Sequence, residues 1–171
     1  MRPQTERMNT LTDTTSRARQ FAPGTVFERP TMRSTLLELS DDAFRIEIEA
    51  GPDANGGPLH RHMNQSERFI VEEGAIIVRT GLRGRRRVGP GEEILVTAGT
   101  PHTFSVDGNS AHFIAEFSPP LQVADYFLAL MDVDDLGIRE LAQLARRYPQ
   151  EHFYLPVIPP AVQRAFLRVV G

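Results

Sequence analysis

The chain has no cysteine. Disulfides and thiolate metal centres are therefore excluded, and any metal site must be built from imidazole and oxygen donors. A cysteine-free chain also fits a reducing cytoplasm, which is the location expected. Long hydrophobic runs are missing as well. None approaches the ~20 apolar residues a bilayer-crossing helix needs, so no membrane partner is expected. The opening stretch MRPQTERMNTLTDTTSRARQ lacks the apolar core of a secretory signal. Nor is there an excess of either charge. Nineteen basic against 22 acidic residues give a formal net charge of -3. A chain so balanced has no general attraction for nucleic acid or acidic membranes, and no nucleic-acid partner is expected. The first twenty residues are also too few for a helix-turn-helix module, which argues against a transcription regulator. No internal repeat or low-complexity tract is present.

What is there suits one compact domain with a helical appendage: 171 residues, 40% of them hydrophobic. Residues 1–20 offer little to bury and read as a flexible N-terminal tail. Residues 21–120 read as a β-barrel. The segment AFRIEIEA alternates, with Phe44, Ile46 and Ile48 on one face and Arg45, Glu47 and Glu49 on the other. Short strands are then predicted at Leu59 to His62, Glu67 to Glu72, Ala75 to Thr80, Arg85 to Val88, Glu92 to Thr97, His102 to Val106 and His112 to Phe117. Turn signals at Gly74, GLRG, GPG, GTP and DGN separate them, a spacing that suggests a sandwich or barrel. Pro119 and Pro120 end this region. Residues 121–171 read as a helical C-terminal extension. It comprises LQVADYFLALM, then DDLGIRELAQLARRY with Asp134 or Asp135 as N-cap and a stripe of Leu136, Leu141 and Leu144, then PPAVQRAFLRVV. These helices are expected to pack on the barrel exterior or across a dimer.

The chemistry is concentrated in PLHRHMNQSERFIVEEG, from Pro58 to Gly74, and in GTPH, from Gly99 to His102. Side chains alternate across a strand, so His60 and His62 share one face while Arg61 leaves the other. Past a turn at MNQS, a following strand can bring the Glu67 carboxylate beside them, and His102 can enter from a separate strand. Three imidazoles and a carboxylate make a ligand set for a divalent metal. By parity Phe69 and Val71 share the face of Glu67, and Phe104 that of His102. Such neighbours would dry the cavity and form a substrate pocket, with Gln65 beside it to bind a metal water or hold the turn.

These residues resemble the motifs of the cupin superfamily. Its first motif reads G-x5-H-x-H-x3,4-E-x6-G, and His60, His62, Glu67 and Gly74 match it in register. Ala54 stands where the leading glycine falls, with Gly56 and Gly57 nearby. The second motif reads G-x5-P-x-G-x2-H-x3-N. Gly91, Gly99 and His102 match, while Thr97 replaces the proline and Val106 the asparagine. The resemblance covers about residues 24–118, and the helical tail looks like that of single-domain, quercetin-dioxygenase-like cupins. It implies an all-β, double-stranded β-helix (a jelly-roll barrel) with C-terminal α-helices, often a homodimer. It further implies one divalent transition metal, iron, manganese, nickel, cobalt, copper or zinc, on His60, His62, Glu67 and His102.

Three functions are open to such a site. A redox-active ion could join a small-molecule substrate to dioxygen, with Glu67 as the catalytic base; this dioxygenase-type reading leads. A Lewis-acidic ion could instead polarise a carbonyl while Glu67 moves a proton, giving an isomerase, cyclase or lyase. The third is a non-enzymatic binding barrel. Outside the set, His112 reads as a surface or hydrogen-bonded residue and His152 as structural or solvated. The arginine run (Arg79, Arg83, Arg85, Arg86, Arg87) reads as a solvated hairpin. An arginine of that run turned inward could hold a substrate carboxylate.

Overall fold

A computed structural model describes residues 22–131, 138–148 and 162–163. Seven strands precede two helices: β1 (Val26–Arg29), β2 (Met32–Leu39), β3 (Phe44–Ala50), β4 (Ser66–Thr80), β5 (Gly84–Val88), β6 (Glu93–Val96), β7 (His102–Ser118), α1 (Val123–Met131) and α2 (Ile138–Arg147). All strand pairs are antiparallel, in the order β1-β2-β3-β7-β4-β5, and β6 pairs with β4 outside this path.

The two longest strands make the architecture. β4 and β7 pair from Ser66 opposite Ser118 to Thr80 opposite His102. Register shifts at Val71/Glu73 and Gly74/Ile76 interrupt the ladder midway. Such bulges bend and twist a strand pair, and here they fold the ribbon into two layers. One layer holds the first half of β4, flanked by β6 and by the end of β7, which continues into β3. The other holds the second half of β4, flanked by β5 and by the start of β7. Phe69 from one layer meets Phe104 from the other at 5.7 Å between ring centroids, and both pack on Phe113. The core between the layers is wholly apolar at its centre, with Leu36, Phe44, Ile46, Phe69, Val71, Ile76, Val78 and Phe113 buried. The fold is thus an all-β jelly roll, a double-stranded β-helix with C-terminal helices.

The alternation expected in AFRIEIEA is present: Phe44, Ile46 and Ile48 are buried and Glu49 is exposed. Two features differ from the sequence reading. The breaks expected at Gly74 and at DGN do not end strands; each lies within one long strand, because Gly74 and Gly108 take positive φ angles and let the ladder bend and continue. Leu59 to His62 is not a strand either. It touches the sheet through an isolated bridge between His60 and His102.

α1 caps the barrel end. Val123 and Ala124 belong to the barrel core, and Phe127 stacks on Phe44 and Phe117 at 5.6 and 5.8 Å. On α2, Leu144 is buried with Tyr126 and Tyr148 in a small second cluster. The Asp134/Asp135 cap, Leu136, the Leu141 side chain, His152 and nearly all of PPAVQRAFLRVV lie outside the described residues.

Candidate metal centre

The site begins with backbone hydrogen bonds. His60 and His102 exchange both, N–H to carbonyl at 3.0 and 2.6 Å, and the Gly99 N–H donates to the His62 carbonyl at 2.6 Å. Gly99 has φ +78, a conformation that lets GTPH turn back onto this segment. Residues exchanging both bonds stand directly opposite, so their side chains leave on one face. The rings of His60 and His102 accordingly lie 4.7 Å apart, with His62 at 5.1 and 5.4 Å from them. Glu67 enters from β4 between β6 and β7.

His60, His62, Glu67 and His102 are all buried, and one donor atom from each lies within 4.8 Å of the others. Glu67 Oε2 is 2.7 Å from His102 Nε2 and 3.5 Å from His62 Nε2. Adjacent ligands about 2.1 Å from an ion stand about 3 Å apart, so these two spacings bracket what a coordinated ion needs. The tautomers fit as well. His60 Nδ1–H donates to the Pro58 carbonyl at 2.8 Å and His102 Nδ1–H to the Thr100 carbonyl at 2.9 Å. A carbonyl can only accept, so each Nδ1 carries the proton and each Nε2 is the atom left to ligate. The donor set therefore fits a divalent transition metal, which His60, His62, Glu67 and His102 would hold.

Electrostatics without an ion are unequal. Burial pushes His60 down to about 3, and the neighbouring His102 and His62 push the same way. His102 is shifted upward: burial opposes its charge, but the hydrogen bond to Glu67, the Glu67 charge itself and the hydrogen bond to the Thr100 carbonyl together outweigh it. Glu67 is held well below the usual carboxylate range, because bonds from His102 and His62 overcome the cost of burying it. Without metal the pair thus favours a proton on His102 beside an ionised Glu67, while burial disfavours charge on His60.

The residues expected to line a pocket are all buried. Phe69, Val71 and Phe104 are buried in the core cluster. Gln65 is 2% exposed, and its amide donates to the Pro119 and Pro120 carbonyls at 2.8 and 3.2 Å, fastening the end of β7 to the segment between His62 and Glu67. A contact the sequence reading missed is Phe117, whose ring meets that of His62 at 5.8 Å, edge to face. It stands opposite Glu67 in the ladder, so cross-strand register was the signal needed to find it. His112 lies apart, half-buried between Glu47 at 3.0 Å and Glu72 at 3.3 Å. Arg83, Arg85, Arg86 and Arg87 are exposed on the β4–β5 hairpin, as expected of a solvated turn.

A jelly-roll barrel with three inward imidazoles and one carboxylate defines a class of metal-site β-barrels. Residues 46–115 match the family model described as "Cupin domain", which supports the cupin superfamily as the family of the barrel. Among solved structures, KdgF from Halomonas sp. is similar at 22% identity and a TM-score of 0.50, covering 56% of this chain and 87% of that one. An RmlC-like cupin from Shewanella frigidimarina is similar at 18% identity and a TM-score of 0.50, over 56% and 84%. A sugar phosphate isomerase of the cupin superfamily from Silicibacter pomeroyi aligns at 25% identity and a TM-score of 0.46, over 52% and 59%. These likenesses are of fold. No curated protein sequence matches the chain. Among the described residues, no helix is long and apolar enough to cross a membrane.

Proposed function

We propose that this cupin is a metal-dependent enzyme acting on a small molecule, with dioxygenase-type chemistry. The observation carrying the proposal is the buried convergence of four donors from separate segments, two with Nδ1–H fixed on backbone carbonyls. A bound transition metal would supply Lewis acidity and, for a redox-active ion, electrons for dioxygen chemistry. His60, His62 and His102 offer neutral nitrogens, and Glu67 offers an anionic oxygen. Four protein donors leave open positions on a six-coordinate ion, as a catalytic site requires. Phe117 beside His62 and Phe104 two residues from His102 exclude water and strengthen every charge inside.

One observation favours a second reading. The Glu67–His102 pair, at 2.7 Å and out of solvent, can hold or hand over a proton without oxygen. An isomerase, cyclase or lyase would use that pair, with Glu67 Oε2 as the accepting atom.

The test is anaerobic loading with Fe(II) or Mn(II), followed by oxygen-consumption measurements on a panel of enols and flavonols. Oxygen uptake coupled to substrate loss supports the proposal. Turnover that continues without oxygen selects the proton-transfer reading, and saturable ligand binding with no turnover selects a binding barrel. A homodimer in the cytoplasm is part of the same proposal. The absence of cysteine is compatible with that compartment, and sedimentation velocity checks the assembly.

A further inference from the structure

The β4–β5 hairpin carries five arginines from Arg79 to Arg87 and no acidic residue between them. Three arginines elsewhere on the sheets pair with carboxylates: Arg33 with Glu28 and Glu49, Arg45 with Glu38 and Glu116, Arg68 with Glu93 and Glu116. Within the hairpin, Arg87 binds Asp107 at 2.7 Å. Arg86 makes no such pair with any described residue, and the register sets it apart from the rest of the run. Arg85 stands opposite Arg79 and Arg87 opposite Ile77, whereas Arg86 stands opposite Val78. Opposed residues of an antiparallel pair share a face. Val78 is fully buried, and its partner on the other side is Phe104. Arg86 therefore leaves from the face that looks into the barrel, while Arg85 and Arg87 leave from the other.

The next row on that inward face is Gly84, Thr80 and His102, continued by His60 through its bridge. Arg86 thus stands one row from two of the four candidate ligands. It is on the sheet's end strand, which keeps it exposed at the rim while Val78 and Phe104 make the wall below it apolar. A planar guanidinium at the rim of an apolar wall is suited to grip an oxyanion with two parallel hydrogen bonds.

We propose that Arg86 is the anion-recognising group of this site, and that its ligand is a small molecule carrying an oxyanion remote from the atoms that approach His60 and His102. This inference rests on the reading of the four donors as a metal centre open to a small molecule.

The experiment loads the full-length protein and its Arg86→Ala, Arg86→Lys and Arg85→Ala variants with Co(II). Bound metal is quantified by elemental analysis. Each protein is then titrated with lactate, malate and 3-phosphoglycerate while the visible cobalt absorption is followed. All three acids present the same 2-hydroxycarboxylate to the ion; only malate and 3-phosphoglycerate add a remote oxyanion. The wild-type protein should prefer at least one of them to lactate by about tenfold, the size of one charge-assisted hydrogen bond. The stronger of the two identifies a carboxylate or a phosphate as the natural group. Arg86→Ala should abolish the preference without altering lactate binding, Arg86→Lys should keep part of it, and Arg85→Ala should keep all of it. A preference that survives Arg86→Ala, no preference in the wild type, or no response to any acid overturns the role of Arg86. Failure of all four proteins to bind Co(II) instead overturns the metal reading, and this inference falls with it.

Discussion

His60 and His62 differ in how they are held, and substitution should reveal it. His60 is fixed by the Pro58 carbonyl and by its backbone exchange with His102, while His62 rests edge-on against Phe117. Replacing either by alanine should remove most bound metal. Loss of an outer-shell partner alone costs ~10–100-fold in metal affinity, and loss of a ligand costs more. The barrel should stay folded, because its apolar centre lies among Phe69, Phe104 and Phe113. Elemental analysis beside circular dichroism checks both halves; full metal occupancy in both variants would refute the assignment. Phe117→Ala should behave differently. It opens a cavity where Phe44, Phe117 and Phe127 meet and should cost about 3–5 kcal/mol in urea denaturation, with weakened metal binding through a loosened His62. His60, His62 and Glu67 were legible in the sequence from the alternation of side chains and the turn between them, and His102 from the motif it shares with the cupins. Phe117 was not, since its role depends on which residue of β4 it faces, and that is a property of register. Gln65 was read only as a neighbour of the site, because nothing local shows that its amide would reach Pro119, 54 residues away.

At the scale of elements, the decisive devices are the bends in β4 and β7. Gly74 has φ +69, and a Cβ there would fall on the Ser110 carbonyl oxygen of the paired strand. Gly91 has φ +76 but nothing within reach of an added Cβ. The two glycines therefore separate two costs. Gly91→Ala should lose roughly 1–2 kcal/mol from left-handed backbone alone. Gly74→Ala should lose distinctly more, because the β4–β7 ladder must shift to relieve the clash, and denaturant titration of the pair measures the difference. Equal losses would show that the close approach at Ser110 matters little. Sequence reading took Gly74 and the DGN segment as chain breaks, since glycine punctuates strands and loops alike. What distinguishes a bulge from a turn is whether hydrogen bonding resumes beyond it, and that is decided by the partner strand. The alternation in β3 needed no partner to be read, because both faces of that strand are already sorted by polarity.

For the whole molecule, the charged site links stability to pH, and the two imidazoles shifted in opposite directions give the dependence a peak. Without metal, His60 has a folded value of about 3 against an ordinary 6.5, so below pH 6.5 the unfolded chain takes up a proton that the folded one refuses. That term lowers stability as pH falls from 6.5 toward 3. His102 is raised by Glu67, so its stabilising contribution is complete below pH 6.5 and is lost as pH climbs through its folded value. Glu67 is lowered, and its contribution is lost as pH drops below the ordinary 4.5. The His60 and Glu67 terms weaken the metal-free protein as pH falls and the His102 term weakens it as pH rises, so its stability should pass through a maximum between the two declines. Each uncompensated proton changes stability by no more than about 1.4 kcal/mol per pH unit. A divalent ion should reshape the curve. Its binding requires Nε2 of His102 to lose its proton, which becomes easier as pH rises, so added metal should cancel the alkaline decline and give little protection in acid. Urea denaturation from pH 4 to 9, with chelator and then with saturating Mn(II) or Zn(II), tests both curves. A metal-free profile that keeps rising above pH 6.5 would show that the Glu67–His102 proton is not held, and metal protection that does not grow with pH would show that these nitrogens are not the ones the ion displaces protons from.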